Sequence, residues 1–214
     1  MSDAWTAVIP VKRLGLAKSR LRGAVPAARH QDLALAMLAD TVAAVLTCAE
    51  VAELLVVTDD PEAARIVREL GARPVPDEPD AGLNAAFRFG ADVVAGPGRN
   101  RVAMAGDLPA LRPAELGEAL RSIAGRAFVA DAAGTGTVLL GVHQGRDLDP
   151  RFGGGSAAAH AGSGATALTG DWPGLRQDVD TADDLRAVLA LGAGPQTCGL
   201  LRDLGLTSSC LPAA

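Results

Sequence analysis

The chain has 214 residues, 49% of them hydrophobic but only 3% aromatic, and carries a formal charge of -5. That length and apolar content suit a single α/β domain, here residues 1–214, whose core must be filled by Val, Leu, Ile and Ala. The acidic balance speaks against non-specific nucleic-acid binding, and no apolar run approaches the roughly 20 residues of a membrane span.

The first residues run straight into a strand pattern with no signal-peptide character. Cys48, Cys198 and Cys210 are widely spaced and form no C-x-x-C pair. Together these point to a cytoplasmic protein without a zinc site.

Residues 6–11 are short, apolar and β-branched, as expected of a strand buried on both faces. A loop rich in positive charge follows, with Lys12, Arg13, Lys18, Arg20 and Arg22 around a lone Gly15. It lacks the G-x-x-x-x-G-K-[ST] spacing of a P-loop. Its place after a buried strand still suits phosphate, because ligands of open α/β sheets gather at the carboxyl ends of the strands.

Residues 26–47 carry helical apolar spacing through Leu33, Met37, Leu38, Val42 and Val45. Residues 53–58 form a second strand pattern, and Asp59-Asp60-Pro61 then reads as an N-cap with Pro at N1, opening a helix that ends at Gly71. Residues 73–78 predict a third strand. Asn84 or a close neighbour is expected to cap a helix running to about Ala95, broken by Gly96-Pro97-Gly98. A strand over 101–105 ends on Gly106-Asp107-Leu108-Pro109, Pro113 starts another helix, and residues 127–131 and 138–142 predict two further strands. This alternation is that of a mostly parallel, Rossmann-like sheet with helices on both faces.

The segment 143–164 is rich in Gly, Ala and Ser and reads as a mobile or ligand-shaped loop around a short helix. Thr181 and Asp184 form a capping-box pattern for a helix to about Leu191. Pro195 begins a last helix. The core spans about 6–195, with 205–214 expected as a flexible tail.

Three aspartates stand apart from surface charge. Asp107 follows a buried strand in a tight turn. Asp178 and Asp180 alternate across Val179, which on an extended segment puts both carboxylates on one face. Two like charges there are costly unless a cation offsets them. A hard divalent ion such as Mg²⁺, held by one or two carboxylates and substrate phosphates, suits that pattern; the plainer alternative is that both aspartates cap the following helix. No Ser, Cys or His is arranged as a nucleophile, and none is required if the acceptor is itself a phosphate.

Six motifs then fall in order: Val11-Lys-Arg-Leu-Gly-Leu-Ala-Lys-Ser-Arg-Leu21, Asp80-Ala-Gly-Leu-Asn-Ala85, Gly106-Asp-Leu-Pro109, Phe128-Val-Ala-Asp131 with Gly134-Thr-Gly-Thr137, Arg151-Phe-Gly153, and Asp178-Val-Asp-Thr181. Each alone is weak, but the ordered set resembles the phosphoenolpyruvate/2-phospho-L-lactate guanylyltransferase family of coenzyme F420 biosynthesis. The resemblance implies a nucleotide-diphospho-sugar transferase fold, related to the molybdopterin guanylyltransferases. It implies Mg²⁺-dependent transfer of GMP from GTP to the phosphate of a three-carbon acid, with release of pyrophosphate. It places Asp107, Asp178 and Asp180 on the metal, Lys12 on the acceptor phosphate, and Thr137, Gly153 and Ser156 around the acceptor. Lys18, Arg20, Leu83 and Asn84 fall on the GTP side, with Lys12, Lys18 and Asp107 as the catalytic set. Candidate partners are the downstream transferase that would take the product and a second copy of the chain.

Two other readings compete. A nucleotidyltransferase of the same fold could act on a sugar phosphate or molybdopterin, but such relatives usually open with a Leu-Ala-Gly-Gly type loop where this chain has Pro-Val-Lys-Arg-Leu. A non-catalytic nucleotide-binding module would keep the basic loop but has no need of three aspartates. Between the two three-carbon acids, the high Ala, Gly and Arg content leans towards a bacterial chain and phosphoenolpyruvate.

Overall fold

The computed structural model describes residues 4–12 and 25–207. Lys18, Arg20 and the rest of the expected basic loop beyond Lys12, and the end of the expected tail, lie outside the described residues.

Seven strands form one sheet: β1 Trp5–Val11, β2 Val51–Thr58, β3 Arg73–Val75, β4 Asn100–Met104, β5 Arg126–Ala130, β6 Thr137–Val142 and β7 Thr166–Ala167. Their order is β3-β2-β1-β4-β6-β5-β7. β3, β2, β1 and β4 run parallel. β6 runs antiparallel to both its neighbours, β4 and β5. β3 stops at Val75, short of the expected Glu78. Pro74 and the following Pro76 have no N–H to offer a ladder, which confines this segment to a short edge strand.

The helices are α1 His30–Leu46, entered through a 3₁₀ turn at Ala27–Arg29, then α2 Pro61–Glu69, α3 Leu83–Arg88, α4 Pro113–Arg121, α5 Ser156–Gly162, α6 Pro173–Arg176, α7 Ala182–Leu191 and α8 Pro195–Asp203. Local caps set several starts as the sequence requires. Asp60 accepts from the N–H groups of Glu62 and Ala63 at the head of α2. Thr181 and Asp184 close a full capping box on α7.

Strand alternation sorts side chains between the two faces. Ala7, Ile9, Leu54, Val56, Val102 and Met104 pack on one face with Leu35, Leu38 and Val42 of α1 and Leu116 and Leu120 of α4. Val8, Leu55, Val57, Ala103, Phe128 and Leu140 pack on the other with Ala86 and Phe87 of α3 and Ala157 of α5. A third cluster joins Leu33 and Met37 of α1 to Leu185 and Val188 of α7 and Leu201 of α8, outside the sheet.

The expected helix from about Asn84 to Ala95 differs in two respects. Its N-cap is Gly82, with no side-chain cap. After Arg88 it widens into a π-helix over Phe89–Ala95. There Gly90 lies so close to the sheet that a Cβ would come within 2.6 Å of Val8 Cγ1.

The π-helix also brings Asp92 against the guanidinium of Arg101, whose side chain is wholly buried on β4 and also donates to the Arg146 carbonyl. Removing one partner of such a pair strands a charge out of water. Asp92→Ala is therefore expected to lower stability by about 3 kcal/mol. Arg101→Met should cost less, because the partly exposed Asp92 can rehydrate. Urea unfolding of both variants checks that order, and equal losses would show that lost packing rather than stranded charge dominates.

Among the cysteines, Cys48 is a buried free thiol, whereas Cys198 is disulfide-bonded. The cysteines together therefore give no argument for a reducing compartment. No helix among the described residues is long and apolar enough to cross a membrane.

Candidate active site

The carboxyl ends of β1 and β4 lie side by side in the sheet, and between them the chain order changes direction. β2 and β3 extend to one side of β1, and β4, β6 and β5 to the other. A crevice opens at such a switch point. Because β6 is antiparallel, its first residue, Thr137, falls at the same end of the sheet as the last residues of β4 and β5.

A cavity of about 610 Å³ occupies this edge. Pro10, Val11 and Lys12 line it from β1, Gly106 and Asp107 from beyond β4, Asp131 and Thr137 from the β5–β6 turn, and Gly153 to Ser156 from the approach to α5. Asp178, Asp180 and Leu83 also line it, with Ala34, Met37 and Leu38 of α1. Eight of the expected site residues are thus brought together: Lys12, Leu83, Asp107, Thr137, Gly153, Ser156, Asp178 and Asp180. Asn84 is not among the lining residues, and Lys18 and Arg20 lie outside the described residues.

Asp107 sits in a turn fixed from α1, where the Leu108 N–H donates to Thr41 Oγ1 at 3.0 Å. Asp178 and Asp180 do not lie in a strand, but the expected alternation survives. Val179 is fully buried against α1 and α7 while both carboxylates reach the cavity. Burial, reinforced by the negative charges of Asp107, Asp180 and Asp131, pushes the Asp178 carboxyl up to about 7. Lys12 is half-exposed and only loosely paired, its Nζ 3.8 Å from Asp77 Oδ2. Asp131 shapes the backbone beside it. Its two carboxylate oxygens accept from the N–H groups of Thr135 and Gly136, folding the turn into β6.

Among the described residues, no three His, Cys, Asp or Glu side chains converge into a ready-made metal cage. Asp107, Asp178 and Asp180 all line the cavity and offer only oxygen. Such a donor set fits Mg²⁺, which binds through one or two carboxylates and keeps waters and substrate oxygens in its shell.

The glycine-rich approach to α5 is framed rather than loose. Asn84 Nδ2 donates to the Phe152 carbonyl at 3.0 Å, and the Phe152 N–H donates back to Asn84 Oδ1 at 2.7 Å. The Phe152 ring stacks on Phe87, with centroids 4.2 Å apart. The Arg151 N–H donates to His160 Nε2, and the Ala157 N–H to the Thr135 carbonyl. Gly153 and Gly155 have φ of +133° and +72°, conformations an L side chain rarely adopts. The wall they form therefore takes its shape from its own backbone. Sequence reading missed the part played by Asn84 and His160, since neither carries a local signal for a partner 68 or 23 residues away.

The fold is that of the nucleotide-diphospho-sugar transferases. A nucleotide-diphospho-sugar transferase from Desulfovibrio desulfuricans G20 superposes with a TM-score of 0.72 at 18% identity, covering 96% of this chain and 97% of that one. A cytidylyltransferase from Leptospira borgpetersenii does so with a TM-score of 0.57 at 10% identity, covering 97% and 98%. The chain belongs to the family described as guanylyl transferase CofC like, which matches residues 5–212. The phosphoenolpyruvate guanylyltransferase of Salinispora arenicola is 58% identical over 206 residues, 93% of this chain and 95% of that protein. That of Streptomyces coelicolor is 51% identical over 201 residues, 92% and 95% of the two.

Proposed function

We propose that this enzyme transfers GMP from GTP to the phosphate of phosphoenolpyruvate, giving enolpyruvyl-diphosphoguanosine and pyrophosphate in coenzyme F420 biosynthesis. The observation that carries the choice of acceptor is the high identity, across nearly the whole chain, to proteins named for that reaction. The cavity agrees in chemistry. Among the described residues it is lined by the Lys12 cation, by the hydroxyls of Thr137 and Ser156 with the glycine backbone, and by the carboxylates of Asp107, Asp178 and Asp180.

A phosphate oxygen of the acceptor attacks the α-phosphorus of GTP, the new P–O bond forms, and the bond to the β-phosphate breaks to release pyrophosphate. The acceptor's second pKa is about 6, so it is largely dianionic near neutrality and no residue has to act as a general base. What the protein supplies is alignment and charge neutralisation. Lys12 draws the acceptor phosphate to the end of β1, and Thr137, Gly153 and Ser156 hold the acid. Leu83, exposed at the rim, supplies an apolar contact on the nucleotide side, where Lys18 and Arg20 also belong by their place in the sequence. Asp107, Asp178 and Asp180 would hold Mg²⁺, which when bound neutralises charge on the reacting phosphates. The downstream transferase and a second copy of the chain remain the proposed protein partners.

Pyrophosphate release from GTP and Mg²⁺, with phosphoenolpyruvate and 2-phospho-L-lactate supplied separately, tests this reading. Release is expected with phosphoenolpyruvate, little with the lactate, and none without an acceptor or with chelator present. Preference for the lactate would overturn the choice of acceptor. Release with neither acid, with the downstream transferase also present, would overturn the reaction.

A further inference from the structure

His160 is wholly buried. It lies between Phe128 and Phe152, whose ring centroids are 5.8 and 5.2 Å away. Its two nitrogens have different partners. Nε2 lies 2.9 Å from the backbone nitrogen of Arg151, and Nδ1 lies 2.9 Å from Thr137 Oγ1. A backbone N–H can only donate, so Nε2 must present its lone pair. A neutral imidazole has one proton, which is then on Nδ1 and donates to Thr137. Burial, with the nearby Arg126 and Arg151 adding to it, lowers the His160 pKa to about 4, with Asp149 opposing, so the ring stays neutral at working pH.

A hydroxyl has one proton to give and two lone pairs. With one lone pair of Thr137 occupied by His160, the hydroxyl proton is not spent on the ring and is free for a ligand oxygen. Thr137 lines the cavity on the wall assigned to the acceptor. An Asp or Glu in place of His160 would take the hydroxyl proton for itself and put a negative charge behind the site. The imidazole also holds Arg151, one residue before the Asn84 clamp on Phe152 and two before Gly153.

We infer that His160 is a positioning residue for the acceptor: it fixes the Thr137 hydroxyl as a hydrogen-bond donor facing the cavity and anchors the start of the glycine wall. This rests on the reading of that wall as the acceptor subsite.

Steady-state kinetics of Thr137→Val, His160→Leu, their double variant and His160→Asn test it. Thr137→Val should raise KM for phosphoenolpyruvate about tenfold, with KM for GTP nearly unchanged. His160→Leu should do at least as much, and the double variant no more than His160→Leu alone. His160→Asn, whose amide can still donate from the place of Nδ1, should recover most of the loss. If Thr137→Val raises KM but His160→Leu does not, or the two effects multiply, the inference fails while the acceptor reading stands. If Thr137→Val changes nothing, both fall at this residue.

A measurement on the unaltered protein guards against variants that do not fold. The chain has three histidines. His30 Nε2 faces the Val25 carbonyl and must donate, whereas His143 has an acceptor at each nitrogen, the Ile123 carbonyl at Nε2 and Asn100 Oδ1 at Nδ1. Nitrogen-15 spectra of histidine-labelled protein, assigned residue by residue, should show His160 with its proton solely on Nδ1. A proton on its Nε2 would overturn the inference whatever the kinetics.

Discussion

Replacing Asp178 by asparagine is expected to make the metal-free protein more stable while removing its activity. The Asp178 carboxyl is pushed up to about 7 by burial first and by Asp107, Asp180 and Asp131 after it. In the unfolded chain the same group releases its proton near pH 4. Between about pH 4 and 7 the folded state therefore binds more protons than the unfolded one, so stability falls as pH rises through that window and the whole penalty is present above it. Three pKa units would correspond to roughly 4 kcal/mol. The site is open on one side, and solvent and relaxation reduce this to about 1–2 kcal/mol. Asp178→Asn should thus melt about 4 °C higher than the unaltered protein at pH 8 in chelator, and at the same temperature at pH 4.

Mg²⁺ should reverse the order. An ion that binds only the folded state stabilises it by mass action, so millimolar Mg²⁺ with GTP should raise the melting temperature of the unaltered protein but hardly that of the variant. Turnover should drop about a thousandfold, the scale of losing charge stabilisation at a transferring phosphoryl group. Asp107→Asn, at the end of β4, should lose activity similarly but gain less stability. A lower melting temperature for Asp178→Asn at pH 8 in chelator would show that its carboxylate is satisfied without a cation, and the metal assignment would then fail with it.

The features legible in the sequence are those set by neighbours along the chain. The β-branched run of β1, Asp60 with Pro61 at the head of α2 and the Thr181–Asp184 box all depend on contacts within four residues, and each forms where its residues require. That Asp107, Asp178 and Asp180 stand apart from surface charge is legible because strand-end position and alternation are local too, and all three line the cavity. Strand direction is not local: residues 137–142 read the same whether β6 runs parallel or antiparallel, and only its pairing with both β4 and β5 decides. Arg101 reads as an ordinary strand residue, yet its burial depends on Asp92 in a widened helical turn. Asn84 reads as a cap because Asn favours that place. Its amide instead finds a backbone partner in the loop before α5, to which no sequence neighbour points.

That clamp carries the second large effect. Asn84 meets Phe152 as one strand residue meets another, donor to carbonyl and N–H to acceptor, at 3.0 and 2.7 Å. Both bonds are part-buried, and the Phe87 ring stacks on the Phe152 side chain. Asn84→Ala removes both bonds and leaves the Phe152 backbone half-desolvated, at about 1 kcal/mol per bond. The melting temperature should fall by about 6 °C. The kinetic effect should be the larger one, because Gly153 follows directly and its backbone conformation has no side chain of its own to hold it. KM for the acceptor should rise about thirtyfold, while KM for GTP should change a few-fold at most.

Asn84→Asp separates framing from simple packing. It keeps the volume and the acceptor for the Phe152 N–H, but turns a carboxylate oxygen towards the Phe152 carbonyl, so two acceptors oppose each other. If the clamp acts through its paired hydrogen bonds, Asp should be no better than Ala at either readout. Recovery by Asp would mean that volume at residue 84 is what matters, and the glycine wall would then owe its shape to Phe87 and His160 instead.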